Sequence, residues 1–149
     1  MFEAFNRYAD FSGRSARTEY WLFQLLNFIV WMIAISVLFS GLDFSLGLEE
    51  ALAAAVGGAS FIVGVTIIVF WLLVGLVPGL AVTVRRLHDR NMSGWWYPGL
   101  TLLGMLPFVG WVASIAFFVV LCLDGTAGEN RFGEDPKGRG WGAASAVFA

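Results

Sequence analysis

Few side chains in this sequence have the chemistry for catalysis or metal binding, and most of them lie in one short segment. His88 is the single histidine, Asp89 follows it directly, and Cys122 is the single cysteine. A histidine beside a carboxylate suggests proton transfer, but a metal site needs three or four suitably spaced ligands. We therefore predict no catalytic residue, no metal and no cofactor, and interpret Cys122 as a small apolar packing residue.

Two clusters of charged and aromatic residues hold the other candidates for function. The clusters comprise Arg14, Arg17, Glu19 and Trp21, and then Arg85, Arg86, His88 and Asp89, which Trp95 and Trp96 follow. On a helix, Arg17 can stack on Trp21, and Arg85 can pair with Asp89 four residues later. The basic residues could bind anionic lipid headgroups. Alternatively, they set the topology and pair internally with Glu19, Asp89 and the acidic residues of the tail, which we favour. In a related hypothesis, the tail acids dock on both arginine clusters.

Long uncharged runs on either side of the clusters indicate a membrane protein. Residues 20–42, 51–84 and 91–123 carry no charge. The 149-residue chain is 58% hydrophobic and 13% charged, whereas a soluble domain carries about 25% charged residues. A helix needs about 20 apolar residues to cross the hydrocarbon core. We therefore predict one all-α integral membrane domain without a sizeable soluble part.

The run lengths predict a compact helical bundle of about four transmembrane segments. Their expected positions are residues 18–39, 59–77, 93–106 and 108–123. The middle run is too long for one span, because its 34 residues would extend about 51 Å as a helix. Pro78 is therefore expected to kink or end span two, and a second helical piece would lead to Asp89.

Span one carries two amides, Gln24 and Asn27, on one helical face. Because amides exposed to lipid are costly, this face should point into the bundle. We interpret the two amides as packing contacts rather than as the lining of a substrate pathway.

The last apolar run, 91–123, decides on which side of the membrane the chain ends. One long span would place the C-terminus outside, whereas a short helical hairpin keeps all nine basic residues on one side. Because cytoplasmic segments are rich in Lys and Arg, we predict the hairpin. Residues 1–17 are then a cytoplasmic segment with an interfacial helix as one interpretation, and residues 124–149 are a cytoplasmic tail.

Several of these motifs, in this order, resemble the DUF805 family of small bacterial inner-membrane proteins of unknown function. The matching residues are Gly13-Arg14 with Arg17, Glu19-Tyr20-Trp21, Arg85-Arg86-Leu87-His88-Asp89, Ser93-Gly94-Trp95-Trp96, and the tail segment from Gly125 to Pro136. The resemblance covers roughly residues 5–137. It implies a location in the bacterial inner membrane, and it implies no activity.

Three classes of function stay open. We favour a structural or accessory protein that binds anionic lipid, itself or a larger membrane complex, without enzymatic activity. The alternative is a small channel or transporter for an ion or solute, with Gln24 and Asn27 as candidate lining. A membrane enzyme using Glu19, His88 and Asp89 is the least favoured. We expect membrane lipids and a further copy or complex as partners, and no nucleic acid.

Overall fold

The regular elements of the protein are all helices. A computed structural model describes residues 3–43 and 45–139. In chain order the helices are α1 (Glu3–Asn6), α2 (Arg17–Phe39), α3 (Leu48–Ala55), α4 (Ala59–Asp89), α5 (Trp96–Gly104) and α6 (Val109–Cys122). Within those ranges, one isolated bridge between Asn130 and Gly133 is the only β pairing. The predicted all-α class is therefore confirmed.

Two helices, α2 and α4, are long and apolar enough to cross a membrane. They have 23 and 31 residues, and only 11% of the most apolar 18-residue window of each is buried. The core helix of a soluble protein would instead be mostly buried. The exposed apolar side chains of α2 and α4 suit contact with lipid, as predicted for spans one and two.

Helix α4 does not end where span two was predicted to end. It continues through Pro78 to Asp89, twelve residues beyond position 77. Proline removes one backbone donor, and membrane helices tolerate this loss. At about 1.5 Å per residue, 31 residues extend about 46 Å, beyond a hydrocarbon core of about 30 Å. The part of α4 after Pro78 is therefore available to carry the charged cluster outside the core.

The last apolar run folds into two short helices that pack against each other, α5 with 9 residues and α6 with 14. Their lengths are about 14 Å and about 21 Å, shorter than the hydrocarbon core. The helix bounds lie inside the predicted segments 93–106 and 108–123. Four complete crossings of the membrane are therefore not confirmed.

The chain divides into two compact units. The first comprises residues 3–23 and 78–139. Its apolar core consists of Ala4, Tyr20, Phe23, Val82 and Leu121. The ring of Phe5 packs on Phe23 with centroids 5.6 Å apart, so this aromatic residue of the N-terminal segment turns towards protein. Predictions that concern Phe2 or residues 140–149 lie outside the described part of the chain.

The second unit comprises residues 24–77. Its long helices approach closely at Gly64, where an added Cβ would lie 2.7 Å from Leu38 Cβ. Small residues allow such backbone contact between membrane helices. The charged residues of this unit are three acids, Asp43, Glu49 and Glu50.

Candidate functional site

Asp89, the last residue of α4, is the centre of a buried ionic cluster in the first unit. Its side chain is 2% exposed. Arg14 Nε donates to Asp89 Oδ1 at 3.0 Å, and Arg86 Nη1 donates to Oδ2. Arg14 Nη2 also lies 3.8 Å from Asp135 Oδ1 in the tail. These contacts compensate charges whose burial would otherwise be costly.

Arg85 forms a second buried ion pair, but not with the predicted partner. Its fully buried guanidinium donates from Nη2 to Glu19 Oε1 at 2.7 Å, whereas Asp89 pairs with Arg86 and Arg14. Ser15 Oγ donates to the other Glu19 oxygen at 2.6 Å. The predicted Arg85–Asp89 pair is therefore wrong. On a helix, both residues three apart and residues four apart are neighbours. Arg86, three residues before Asp89, pairs with it instead of Arg85.

Backbone carbonyl oxygens accept most of the other hydrogen bonds that these buried arginines donate. Arg85 Nη1 donates to the carbonyl oxygens of Asp10 at 2.6 Å and Arg7 at 3.1 Å. The N-terminal segment is thereby bound to α4. One buried Arg85 donor, Nε, has no hydrogen-bond partner within the described residues.

The C-terminal end of α6 is capped by arginines from other helices. Arg86 Nε donates to the Leu121 carbonyl at 3.2 Å and its Nη2 to the Leu123 carbonyl, while Arg17 Nη1 donates to the Cys122 carbonyl at 3.3 Å. The last carbonyls of a helix lack intrahelical partners and carry the negative end of its dipole. Guanidinium groups satisfy both requirements here.

Residues 124–139, which we call the strap, bind the end of α4. Arg14 donates to the carbonyls of Thr126 and Gly128, and Thr126 N donates to the Asp89 carbonyl at 2.9 Å. Asn130 Nδ2 donates to the His88 carbonyl at 3.0 Å. The strap thus donates hydrogen bonds to carbonyls at the C-terminus of α4, which have no partner within the helix. The arginines do the same at the C-terminus of α6.

Ion pairs at the surface add to the attachment of the strap. Asp124, half-exposed, lies 3.5 Å from Arg17 Nε, 2.5 Å from Lys137 Nζ and 3.2 Å from Arg139 Nη1. The Lys137 contact holds the pKa of Asp124 below its ordinary value. The hydrogen bond from Arg139 lowers the pKa of Asp135 to about 2. Both carboxylates are therefore ionised at neutral pH.

His88 is packed as a structural residue. Its ring stacks on Phe132 of the strap with centroids 3.8 Å apart and planes 4° from parallel. Its Nδ1 lies 3.1 Å from the Gly13 carbonyl oxygen, and because that oxygen only accepts, Nδ1 carries the proton. In the part of the chain that the structure describes, no group of three His, Cys, Asp or Glu side chains could hold a metal ion.

The three predicted tryptophans lie in different surroundings. Trp21 packs edge-on against Phe118 with centroids 5.5 Å apart, while Arg17 contacts Asp124 and the Cys122 carbonyl, so the predicted stack of Arg17 on Trp21 is not formed. Trp95 and Trp96 are 83% and 52% exposed. Exposed tryptophans at the end of an apolar run suit the lipid headgroup level.

The predicted amide pair forms a separate contact within the second unit. Asn27 Nδ2 donates to Gln24 Oε1 at 3.1 Å, and Trp71 Nε1 of α4 donates to Asn27 Oδ1 at 2.8 Å. Side-chain hydrogen bonds of this kind join membrane helices. The arrangement fits the interpretation of Gln24 and Asn27 as packing contacts.

Residues of the two predicted clusters do lie together, but their main hydrogen-bond acceptors were not predicted. Arg14, Arg86, Glu19 and Asp89 are close in space. Within the described residues the strap acids pair with Arg14 and Arg17 of the first cluster and not with Arg85 or Arg86, so docking on both clusters is not observed. Binding of arginines to the carbonyls of α6 and the strap was not predicted. Backbone acceptors exist at every residue, so no side-chain pattern marks them.

Comparison with known proteins gives one family and several bacterial relatives. The model of the family described as "Protein of unknown function (DUF805)" matches residues 8–134. Inner membrane protein YhaI of Escherichia coli K12 is 38% identical over 130 residues, which are 87% of this chain and 88% of the relative. Inner membrane protein YhaH of the same strain is 42% identical over 130 residues, covering 87% and 89%. No solved structure matches the chain.

The family match bears directly on the clusters. It includes both arginine clusters and most of the strap, so the motifs that carry the resemblance are the residues that build the buried ionic centre. With most of its length matched by the family model and by inner membrane relatives, the chain belongs to the DUF805 family of inner-membrane proteins of unknown function.

Proposed function

We propose that this protein is a structural or accessory component of the bacterial inner membrane. It binds anionic lipid, itself or a larger membrane complex. The observation that carries the proposal is the use of the arginine clusters. Arg14, Arg85 and Arg86 are buried and bound to carboxylates and helix ends, so the most distinctive residues of the chain assemble the protein rather than act on a substrate.

The distribution of charge supports a cytoplasmic location for both termini. All nine Lys and Arg residues belong to the first unit, and the second unit carries only acids. Basic residues concentrate in cytoplasmic segments. Four segments then enter the bilayer. Helices α2 and α4 cross it, while α5 and α6 enter from the cytoplasmic side and return.

Contacts within the first unit support the returning hairpin. Arg131 Nη2 donates to the Asn91 carbonyl at 2.9 Å, and Arg90 Nη1 donates to the Asp124 carbonyl. The two ends of the apolar run 91–123 are therefore side by side, which supports a hairpin rather than a single crossing. The short lengths of α5 and α6 suit entry to part of the bilayer depth.

Specific observations weigh against the two alternative functions. The amides of Gln24 and Asn27 bond to each other and to Trp71, which supports packing rather than a hydrated pathway. His88 is stacked and hydrogen-bonded between the strap and the N-terminal segment, which supports a structural role rather than proton transfer.

Lipid selectivity tests the proposal. The full chain is purified in mild detergent, offered phosphatidylglycerol or phosphatidylcholine with identical acyl chains, and examined by native mass spectrometry. We expect at least about fivefold preference for phosphatidylglycerol, since one basic residue near the headgroups contributes about 1 kcal/mol. Equal retention of both lipids contradicts the anionic-lipid proposal. Solute flux in proteoliposomes that is lost on Asn27→Leu would instead establish the transporter.

A further inference from the structure

Helices α5 and α6 line an apolar groove in the first unit. The groove is lined on α5 by Tyr97, Thr101 and Gly104. It is lined on α6 by Ser114, Phe117 and Leu121. Both sets follow helical spacing, so each helix turns one continuous face inward. The groove is partly open and has a volume of about 480 Å³, within the usual range of about 300–1,000 Å³ for ligand pockets.

The groove is closed at the tip of the hairpin. A Cβ added at Gly110 would lie 2.3 Å from the Gly104 carbonyl oxygen, so the two backbones touch there. At the other end, Tyr20 of α2 and Leu121 line the groove. The space therefore extends from near the hairpin tip towards the end of α6 at which the arginines bind.

The lining of the groove indicates what can occupy it. From Ser114 to Leu121 the helix rises about 10 Å. Aromatic and aliphatic side chains make up most of the lining, among them Tyr97, Phe117 and Leu121. A hydrocarbon chain matches this apolar lining.

One partly exposed arginine lies near the end of the groove that Tyr20 and Leu121 line. Arg17 precedes Tyr20 by one helical turn, and its Nη1 is 3.3 Å from the carbonyl of Cys122, the residue after Leu121. Its side chain is 41% exposed, whereas Arg14, Arg85 and Arg86 are buried.

The charge around Arg17 is positive on balance. Its carboxylate neighbour, Asp124, is shared with Lys137 and Arg139, so three cationic side chains surround this acid. Asp135, which also pairs with Arg139, brings a second acid, and the cations still exceed the acids. An anionic group at this position would complete the compensation of charge.

We propose that the groove holds one acyl chain of an anionic glycerophospholipid from the cytoplasmic leaflet, with the lipid phosphate at Arg17. This inference rests on the proposed function and names its binding site. The apolar face of α5 and α6 binds the chain, and Arg17 selects the headgroup. The other exposed apolar side chains contact lipid without such selection.

Photolabelling of the unmodified chain tests the site directly. The protein is reconstituted in phosphatidylcholine vesicles with a small fraction of phosphatidylglycerol whose acyl chain carries a diazirine. We expect adducts concentrated on the inner faces of α5 and α6, and competition by unlabelled phosphatidylglycerol but not by additional phosphatidylcholine. Adducts spread evenly over α2, α4 and α6 would overturn the groove as a site.

Paired variants separate the two parts of the proposal. Ser114→Phe fills the groove and is expected to lower the adduct yield several-fold, whereas Ile115→Phe, at an exposed position outside the groove, leaves it unchanged. Arg17→Gln is expected to lower the preference for the anionic lipid about fivefold, whereas Arg131→Gln does not. Circular dichroism confirms that each variant is folded.

The outcomes distinguish this inference from the proposed function. Unchanged labelling in Ser114→Phe, with phosphatidylglycerol still preferred in native mass spectrometry, would overturn the groove and leave the proposed function standing. Equal labelling by phosphatidylcholine and phosphatidylglycerol probes would overturn the role of Arg17. No preference for phosphatidylglycerol in either experiment would overturn both.

Discussion

Asp89→Asn removes the carboxylate on which the buried cluster depends. The native side chain accepts from Arg14 Nε at 3.0 Å through one oxygen and from Arg86 through the other. Asparagine has almost the same shape, but it carries no charge and offers an NH₂ group where one oxygen was. One buried guanidinium would then face another donor, and the positive charges of both arginines would lose their main compensation.

The expected loss of stability is large. Asp89 is 2% exposed, so solvent cannot replace the missing contact. Removing one partner of a buried ion pair costs about 3–5 kcal/mol. For a chain of this size, each kcal/mol shifts the thermal midpoint by about 2–4 °C. We therefore expect the midpoint of Asp89→Asn to fall by about 6–20 °C.

The assay compares two chemically identical substitutions. Thermal unfolding is followed by circular dichroism in one detergent at pH 7 for the native chain, Asp89→Asn and Asp124→Asn. Asp124 also contacts three basic side chains, but it is 46% exposed. Exposed ion pairs contribute only about 0–1 kcal/mol each, so its midpoint should fall clearly less than that of Asp89→Asn.

Similar midpoints for the two variants would refute the argument that burial makes the Asp89 cluster structural. An unchanged midpoint for Asp89→Asn would refute it as well. If Asp89→Asn is too unstable to purify, the amount of each variant that accumulates in membranes ranks their stabilities instead. We then expect normal accumulation for Asp124→Asn and little for Asp89→Asn.

Three further predictions concern packing, a membrane hydrogen bond and pH. Gly125→Ala should lower the thermal midpoint, because its Cβ would lie 2.0 Å from Asp89 Oδ2, whereas Gly99→Ala, which meets nothing within 4 Å, should not. Trp71→Phe removes one interhelical donor and should cost about 0.6 kcal/mol in detergent unfolding, with no effect on the strap. The folded-state pKa of Asp135 is about 2, below its ordinary value of 3.8. Its contribution to stability is therefore full above about pH 4 and disappears as the pH falls towards 2, which thermal melts across that range would detect; a flat profile there would contradict the pairing.

The long apolar elements could be predicted from sequence because their signal is local. Helix α2 begins one residue before the predicted start and ends at the predicted residue. Helix α4 begins where predicted but continues past Pro78, because the loss of a single donor does not end a helix that its other hydrogen bonds support. The alternative in which Pro78 ends the helix is therefore wrong, whereas the predicted helical stretch from Pro78 to Asp89 is present.

The partners within the clusters were harder to predict. The choice between residues three and four apart on a helix depends on side-chain direction, and Asp89 pairs with Arg86 rather than Arg85. Its second partner, Arg14, is 75 residues away. The stacking of His88 on Phe132 likewise joins segments whose proximity depends on the whole first unit. No local spacing contains such information.

The arginine contacts at the end of α6 also have a consequence for the order of assembly. The donors are Arg17 and Arg86, and the carbonyls that they bind belong to residues 121–123. During synthesis the donors therefore leave the ribosome before their acceptors. The guanidinium groups that cap α6 are thus already synthesised when its last carbonyls are added to the chain.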